Sequence, residues 1–207
     1  MKHLRREYGQ TTLSEEHLLR DPFEQFGAWF RDCMESGVPE PNAMVLSTVS
    51  ATGQPSSRMV LLKEFTSDGF VFFTNYLSQK SQDIDTNPAV SLLFFWGQRE
   101  RQVRLEGTAY KIAGEASDEY FYSRPPMSQA GAIASPQSQE IPDRDLLEKR
   151  FLALQSSGEP LMRPVHWGGY VVRPNYFEFW QGRENRLHDR FAYRLENEGW
   201  RIARLAP

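Results

Sequence analysis

Near the end of the chain, Arg186-Leu187-His188-Asp189-Arg190 sets three groups able to carry positive charge at alternate positions. If the run is extended, a period of two puts Arg186, His188 and Arg190 on one face and Leu187 and Asp189 on the other. Like charges so placed repel one another unless an anion faces them, and a bound phosphate or carboxylate would serve. The same alternation also suits a solvated strand face. The run alone leaves both readings open.

Three other stretches could handle an anion. Arg58-Met59-Val60-Leu61-Leu62-Lys63 is an apolar strand between two cations. Positions five apart face opposite sides of a regular strand, so Arg58 and Lys63 either serve different groups, are realigned by a bulge, or are simply snorkelling ends. Lys80 stands in the first turns of a helix opening at Ser78, close to Thr74. Backbone N–H groups, a hydroxyl and an ammonium can together hold a phosphate, although Ser78 acting as a plain cap accounts for the same residues. Tyr120, Arg124 and Ser128 recur every fourth position, and each side chain can donate to an oxyanion. Because Pro125 should end a helix at Arg124, they do not form one helical face, and a surface loop is the alternative.

Composition removes several classes. With Lys+Arg 24 against Asp+Glu 27 the formal net charge is -3, which argues against bulk nucleic-acid binding. Hydrophobic residues make up 40% of the 207, enough for a real core. The one cysteine, Cys33, cannot form an internal disulfide and reads as part of a buried helix face. No apolar segment follows the basic N-terminus, and the longest apolar run, residues 90–96, is too short to span a bilayer. A soluble cytoplasmic protein is the expectation. No nucleotide-binding glycine loop, zinc-type Cys/His cluster or Gly-x-Ser-x-Gly elbow is present, so no metal site is expected.

The elements that must position these residues follow from period and punctuation. Residues 1–20 read as an arm that is loose or docks elsewhere. Asp21-Pro22 caps an amphipathic helix that runs to Gly37. Strands are expected at residues 43–50, 56–65, 70–74, 89–96, 101–112, 167–173, 176–180, 190–195 and 200–205. Ala51-Thr52-Gly53-Gln54 and Pro174-Asn175 are read as turns. Helices are expected at 78–86, 115–122 and 143–154, with a long polar loop over 123–142. This is a mainly β chain with flanking helices, favouring a closed or nearly closed antiparallel barrel over a two-layer sheet. No linker divides it, so one domain is expected over residues 21–207.

Taken together, Arg58-x-Val60-Leu61-Leu62-Lys63, Glu100-Arg101-Gln102-Val103, Ser123-Arg124-Pro125, and Phe179-Trp180-Gln181-Gly182 leading to Arg186–Arg190 resemble the pyridoxamine 5′-phosphate oxidase family. The resemblance runs from His3 to Pro207. It implies an FMN-binding split barrel with Greek-key-like antiparallel strands, and a homodimer holding FMN in clefts at its interface. By that resemblance Arg58, Lys80 and Thr74 contact FMN and its phosphate. Met59, Val60, Leu61, Leu62, Lys63, Phe73 and Gln79 belong to the same cofactor site, and Gln102, Gln137, Ser138, Trp180 and Arg190 complete it. Lys63, Tyr120, Arg124 and Ser128 would hold a substrate phosphate, while Arg186 and His188 lie against its pyridine ring as the catalytic pair.

The implied reaction is oxidation of pyridoxamine 5′-phosphate, and of pyridoxine 5′-phosphate, to pyridoxal 5′-phosphate. Oxygen is the acceptor and hydrogen peroxide the by-product, in vitamin B6 salvage. A non-catalytic flavin or pyridoxal phosphate carrier or sensor is the alternative. Two positions depart from the family pattern: Gln79 stands where arginine is frequent, and Phe73 where tyrosine is common before Thr74.

Overall fold

The computed structural model describes residues 7–9 and 11–207; residues 1–6 and 10 of the expected arm, with His3 and the start of the family resemblance, lie outside them. In chain order the elements are α1 (Pro22–Glu35), β1 (Ala43–Val49), β2 (Pro55–Leu61), β3 (Glu64–Thr66), β4 (Gly69–Asn75), α2 (Gln79–Thr86) and β5 (Ala89–Trp96). They continue with β6 (Arg101–Lys111), α3 (Gly114–Ser123), α4 (Pro126–Ala134), α5 (Arg144–Ser156), β7 (Trp167–Gln181), β8 (Asp189–Glu196) and β9 (Gly199–Arg204).

All pairings are antiparallel, in the order β2-β1-β5-β6-β7-β4-β3, with β8 added to β7 and β9 to β8. β7 is where the sheet divides. Along one edge it pairs with β6 from Tyr170 to Gln181; on the other its first half, Trp167 to Val172, pairs with β4, and its second, Tyr176 to Gln181, with β8. The sheet therefore curls into a split barrel instead of lying flat.

α1 fills the interior. Asp21 accepts from the Phe23 N–H (2.7 Å), an N-cap beside a first-turn proline. Its apolar stripe then enters the sheet: Phe26 and Cys33 are fully buried, and the Phe26 ring lies 4.8 to 5.0 Å from Phe65, Phe70 and Phe94. Burial pushes the Cys33 thiol up to about 11, as suits a packing residue. The described part of the arm docks on the barrel, with Leu13 buried and the Gly9 N–H donating to Glu100.

Four local expectations are corrected. Pro174-Asn175 is not a turn, because β7 is one 15-residue strand with a bulge opposite Glu106/Gly107. Proline, having no N–H to offer the ladder, is tolerated at that irregularity. The polar loop over 123–142 contains α4, whose alanines and first-turn Pro126 favour a helix. The strand expected over 56–65 breaks at Leu62-Lys63. Finally, residues 186–190 are not one extended run: Asn185 and Arg186 have φ of 55° and 64°, and β8 begins only at Asp189.

Candidate active site

The break after β2 decides the first half of the site. Beyond Leu61 the chain turns, the Lys63 N–H donates to the Val71 carbonyl, and Lys63 comes to the same cavity as Arg58. That cavity, about 950 Å³, lies among β2, β4, α2, α3, α4, the segment after α4 and the start of β7, where Trp167 lines it. Lining it are Arg58, Met59, Val60, Leu61 and Lys63 from the first stretch, and Phe73, Thr74, Gln79 and Lys80 from the second. Tyr120, Arg124, Ser128, Gln137 and Ser138 complete the expected residues that meet there. Leu62 does not: it is 5% exposed and faces the core.

Lys80 is 7% exposed and every hydrogen-bond partner of its ammonium is neutral: Ser78 Oγ (2.9 Å), Gln137 Oε1 (3.1 Å) and Thr74 Oγ1 (3.2 Å). Ser78 thus occupies the N-cap position without capping, because its hydroxyl accepts from Lys80. Burial, with nearby Arg58 adding to it, pushes the Lys80 ammonium down to about 8. Arg58 Nη1 donates to Thr48 Oγ1 (2.8 Å) and the Leu46 carbonyl (3.1 Å). Behind it, buried Asp83 accepts from Thr48 Oγ1 (2.6 Å) and Gln79 Nε2 (2.8 Å). Gln79, the departure from the family pattern, is thereby tied one helical turn along α2.

At the other wall, Pro125 ends α3 and Pro126 starts α4, so Tyr120, Arg124 and Ser128 converge from two helices and the cap between them. Arg124 Nη1 is buried with no hydrogen-bond partner, and burial lowers the guanidinium's pKa. Phe73, Tyr120 and Trp167 form a near-parallel stack. Four cationic side chains line the cavity, and among the described residues no carboxylate does.

Gln102, Trp180, Arg186, His188 and Arg190 are elsewhere. Cross-strand register puts Gln102, Trp180 and Arg190 in one row across β6, β7 and β8, hence on one face. Arg190 Nε donates to Glu178 Oε1 and Arg104 Nη2 to Glu178 Oε2, both at 2.9 Å. Burial opposes ionisation of Glu178, yet the two guanidiniums hold its carboxyl below the usual range. The His188 ring lies 4.6 Å from that of Trp180 and 5.9 Å from Tyr8. Its Nδ1 accepts from the Arg183 N–H (3.0 Å), so the neutral ring carries its proton on Nε2. Burial and neighbouring Arg186 hold its pKa below the ordinary imidazole value. Arg186 is exposed, and among the described residues nothing pairs with it. Two consecutive non-glycine residues in left-handed conformation are a costly way to present a side chain.

Sequence reasoning missed Trp167, Asp83 and Glu178. A tryptophan at a strand start reads as core, Asp83 sits in a polar helix, and Glu178 is a single carboxylate between Phe177 and Phe179; only the contacts reveal them.

This is the architecture of the split-barrel proteins. PhzG from Burkholderia lata 383, solved with tetrahydrophenazine-1-carboxylic acid, aligns with a TM-score of 0.91 and 27% identity over 96% of this chain and 99% of its own. A pyridoxamine 5′-phosphate oxidase-related, FMN binding protein from Nostoc punctiforme shares the fold, with a TM-score of 0.73 and 17% identity over 92% of this chain and 100% of its own. Residues 30–157 match the family described as pyridoxamine 5′-phosphate oxidase, and residues 167–207 the pyridoxine 5′-phosphate oxidase C-terminal dimerisation region. Proteins named pyridoxine/pyridoxamine 5′-phosphate oxidase from Rubrobacter xylanophilus and Bordetella pertussis are each 54% identical over 99% of this chain, covering 95% and 98% of their own lengths. The chain belongs to the pyridoxamine 5′-phosphate oxidase family.

Proposed function

We propose that the chain is an FMN-dependent oxidase, acting in the cytoplasm, that converts pyridoxamine 5′-phosphate and pyridoxine 5′-phosphate to pyridoxal 5′-phosphate with oxygen as acceptor and hydrogen peroxide as by-product. The observation that carries this reading is the cavity lined by Arg58, Lys63, Lys80 and Arg124 with no carboxylate among its described lining residues. Lys80 is buried among neutral partners and Arg124 Nη1 is buried with none, and cations so placed call for anionic ligands. At about 950 Å³ the cavity is at the top of the roughly 300–1,000 Å³ range of small-molecule sites, which suits a cofactor and a substrate side by side.

The residues fit FMN and divide the work. Arg58, Lys80, Thr74 and Gln79 are suited to the cofactor phosphate, with Met59, Val60, Leu61, Phe73, Gln137 and Ser138 around the rest. Lys63, Tyr120, Arg124 and Ser128 are suited to the substrate phosphate, where the orphaned Arg124 Nη1 would gain its partner. When bound, FMN supplies the two-electron acceptor that no side chain offers, and passes the electrons to oxygen. Anchoring a phosphate far from the reacting carbon converts binding energy into orientation. Arg186 and the neutral, Nε2-protonated His188 would position the pyridine ring and donate hydrogen bonds to it.

Gln102, Trp180, Arg186, His188 and Arg190 do not line the chain's own cavity, so we assign them to the cavity of a second copy. The match of residues 167–207 to a dimerisation region supports a homodimer with composite sites. We read residues 21–207 as one FMN-binding domain and residues 1–20 as an arm.

The test is anaerobic addition of pyridoxamine 5′-phosphate to the FMN-loaded protein, following the flavin's visible absorption. Bleaching that reverses on admitting air, with aldehyde formed, is expected. Flavin that stays oxidised would replace this reading with the carrier.

A further inference from the structure

We infer that Trp167 is a positioning residue for substrate phosphate recognition, acting through the Arg124 guanidinium and the Tyr120 ring. The inference rests on the phosphate reading of the cavity given above. Trp167 is 6% exposed, and its ring is the platform on which that wall is assembled. Arg124 Cζ stands 4.8 Å from the centroid of the Trp167 ring, within the range of a cation–π contact. The Trp167 plane is 8° from that of Tyr120 at 6.2 Å and 15° from that of Phe73 at 5.5 Å. Phe73 closes the stack on Tyr120 at 3.9 Å. Phe73, one of the two departures from the family pattern, thus contributes a ring that helps to hold Tyr120.

The platform itself is fixed. The Trp167 N–H donates to the Pro164 carbonyl (2.9 Å), and the Trp167 carbonyl accepts from Arg163 Nη1 (2.6 Å). Arg163 is held in turn by Asp118 on α3 (2.6 Å). Among the described residues no carboxylate orients Arg124. Its contact with the indole face, together with a longer one to Phe121 (6.0 Å), sets where the guanidinium points while leaving its Nη1 unpartnered for a ligand. A π face serves this purpose better than a carboxylate, which would orient the guanidinium but also neutralise the charge needed by a phosphate.

The experiment compares Trp167→Leu, Trp167→Phe and Arg124→Gln in the FMN-loaded protein. Calorimetric titrations with pyridoxal 5′-phosphate and with pyridoxal are combined with KM and kcat for pyridoxamine 5′-phosphate. Losing a cation–π platform should weaken pyridoxal 5′-phosphate about tenfold in Trp167→Leu and roughly threefold in Trp167→Phe, which keeps an aromatic face. Affinity for pyridoxal, which has no phosphate, should stay within about twofold, and KM should rise while kcat falls no more than about twofold. Equal losses for both ligands would overturn the proposal in favour of general packing, as would an unchanged phosphate affinity. If Trp167→Leu does not fold, Trp167→Phe decides by the same phosphate-specific difference. Arg124→Gln separates the two levels. If it leaves pyridoxal 5′-phosphate affinity intact, the phosphate reading itself fails; if it weakens it while the Trp167 variants do not, only the role of Trp167 fails.

Discussion

Lys80 is an ammonium kept from water and surrounded by hydroxyl and amide oxygens, so its charge depends on what enters the cavity. With its pKa pushed down to about 8, the ligand-free side chain is charged below that pH and neutral above it. A phosphate favours the charged form and raises the pKa in the complex. FMN affinity should therefore be full below about pH 8 and fall as pH rises through it, by up to about tenfold per unit until the pKa of the complex is reached. Fluorescence titration of FMN at pH 7 and pH 9 measures this, and Lys80→Met should remove most of the dependence. A flat profile in the unaltered protein would contradict the assignment. At the far end of the chain, Arg186→Leu should lower turnover by at least about a hundredfold while FMN affinity holds within about twofold, since Arg186 lies outside the cofactor phosphate cradle. Unchanged turnover would remove Arg186 from the mechanism. Individual residue types were informative here: cations, hydroxyls and one tyrosine at suggestive spacings did meet in one cavity. What spacing could not reveal was company, such as Asp83 behind Thr48 or Trp167 beneath Arg124, because those neighbours are distant in sequence.

The elements show where periodicity succeeds and where it fails. α1 and the hairpins β1–β2 and β8–β9 were legible because a cap, an apolar stripe or a glycine turn marked each. Period and punctuation divide β7 into two strands, since Pro174-Asn175 resembles a turn, but its resolution is tertiary: Gly107 on β6 gives way opposite it. A Cβ on Gly107 would lie 2.2 Å from the Arg173 carbonyl oxygen. Gly107→Ala should thus destabilise by more than about 1–3 kcal/mol, because both partners are backbone and neither can yield easily. Denaturant unfolding would register it as a lower midpoint, and an unchanged midpoint would show that the bulge relaxes freely. The turn presenting Arg186 escapes the sequence pattern for a similar reason. Alternation of charge suggested a strand, whereas the chain spends two left-handed residues to aim one side chain outward.

At the scale of the whole molecule, one chain holds two halves that do not meet. The cavity gathers the groups suited to the phosphates, while Arg186 and His188 stand on a separate face beside Trp180. Neither composition nor spacing distinguishes residues that share a site within a chain from residues that share it across an interface. Both sets carried the same signature of cations and aromatics. We propose that each working site draws on two copies, a reading supported by the match of residues 167–207 to a dimerisation region. Subunit complementation tests that claim most directly. Arg124→Gln and Arg186→Leu homodimers, each nearly inactive, are dissociated, mixed and reassociated, and oxidation of pyridoxamine 5′-phosphate is followed. If the halves come from different copies, each mixed dimer has one intact site and one doubly defective site, and random pairing should restore about a quarter of the unaltered activity. No recovery, with mixed dimers demonstrably formed, would contradict the composite site.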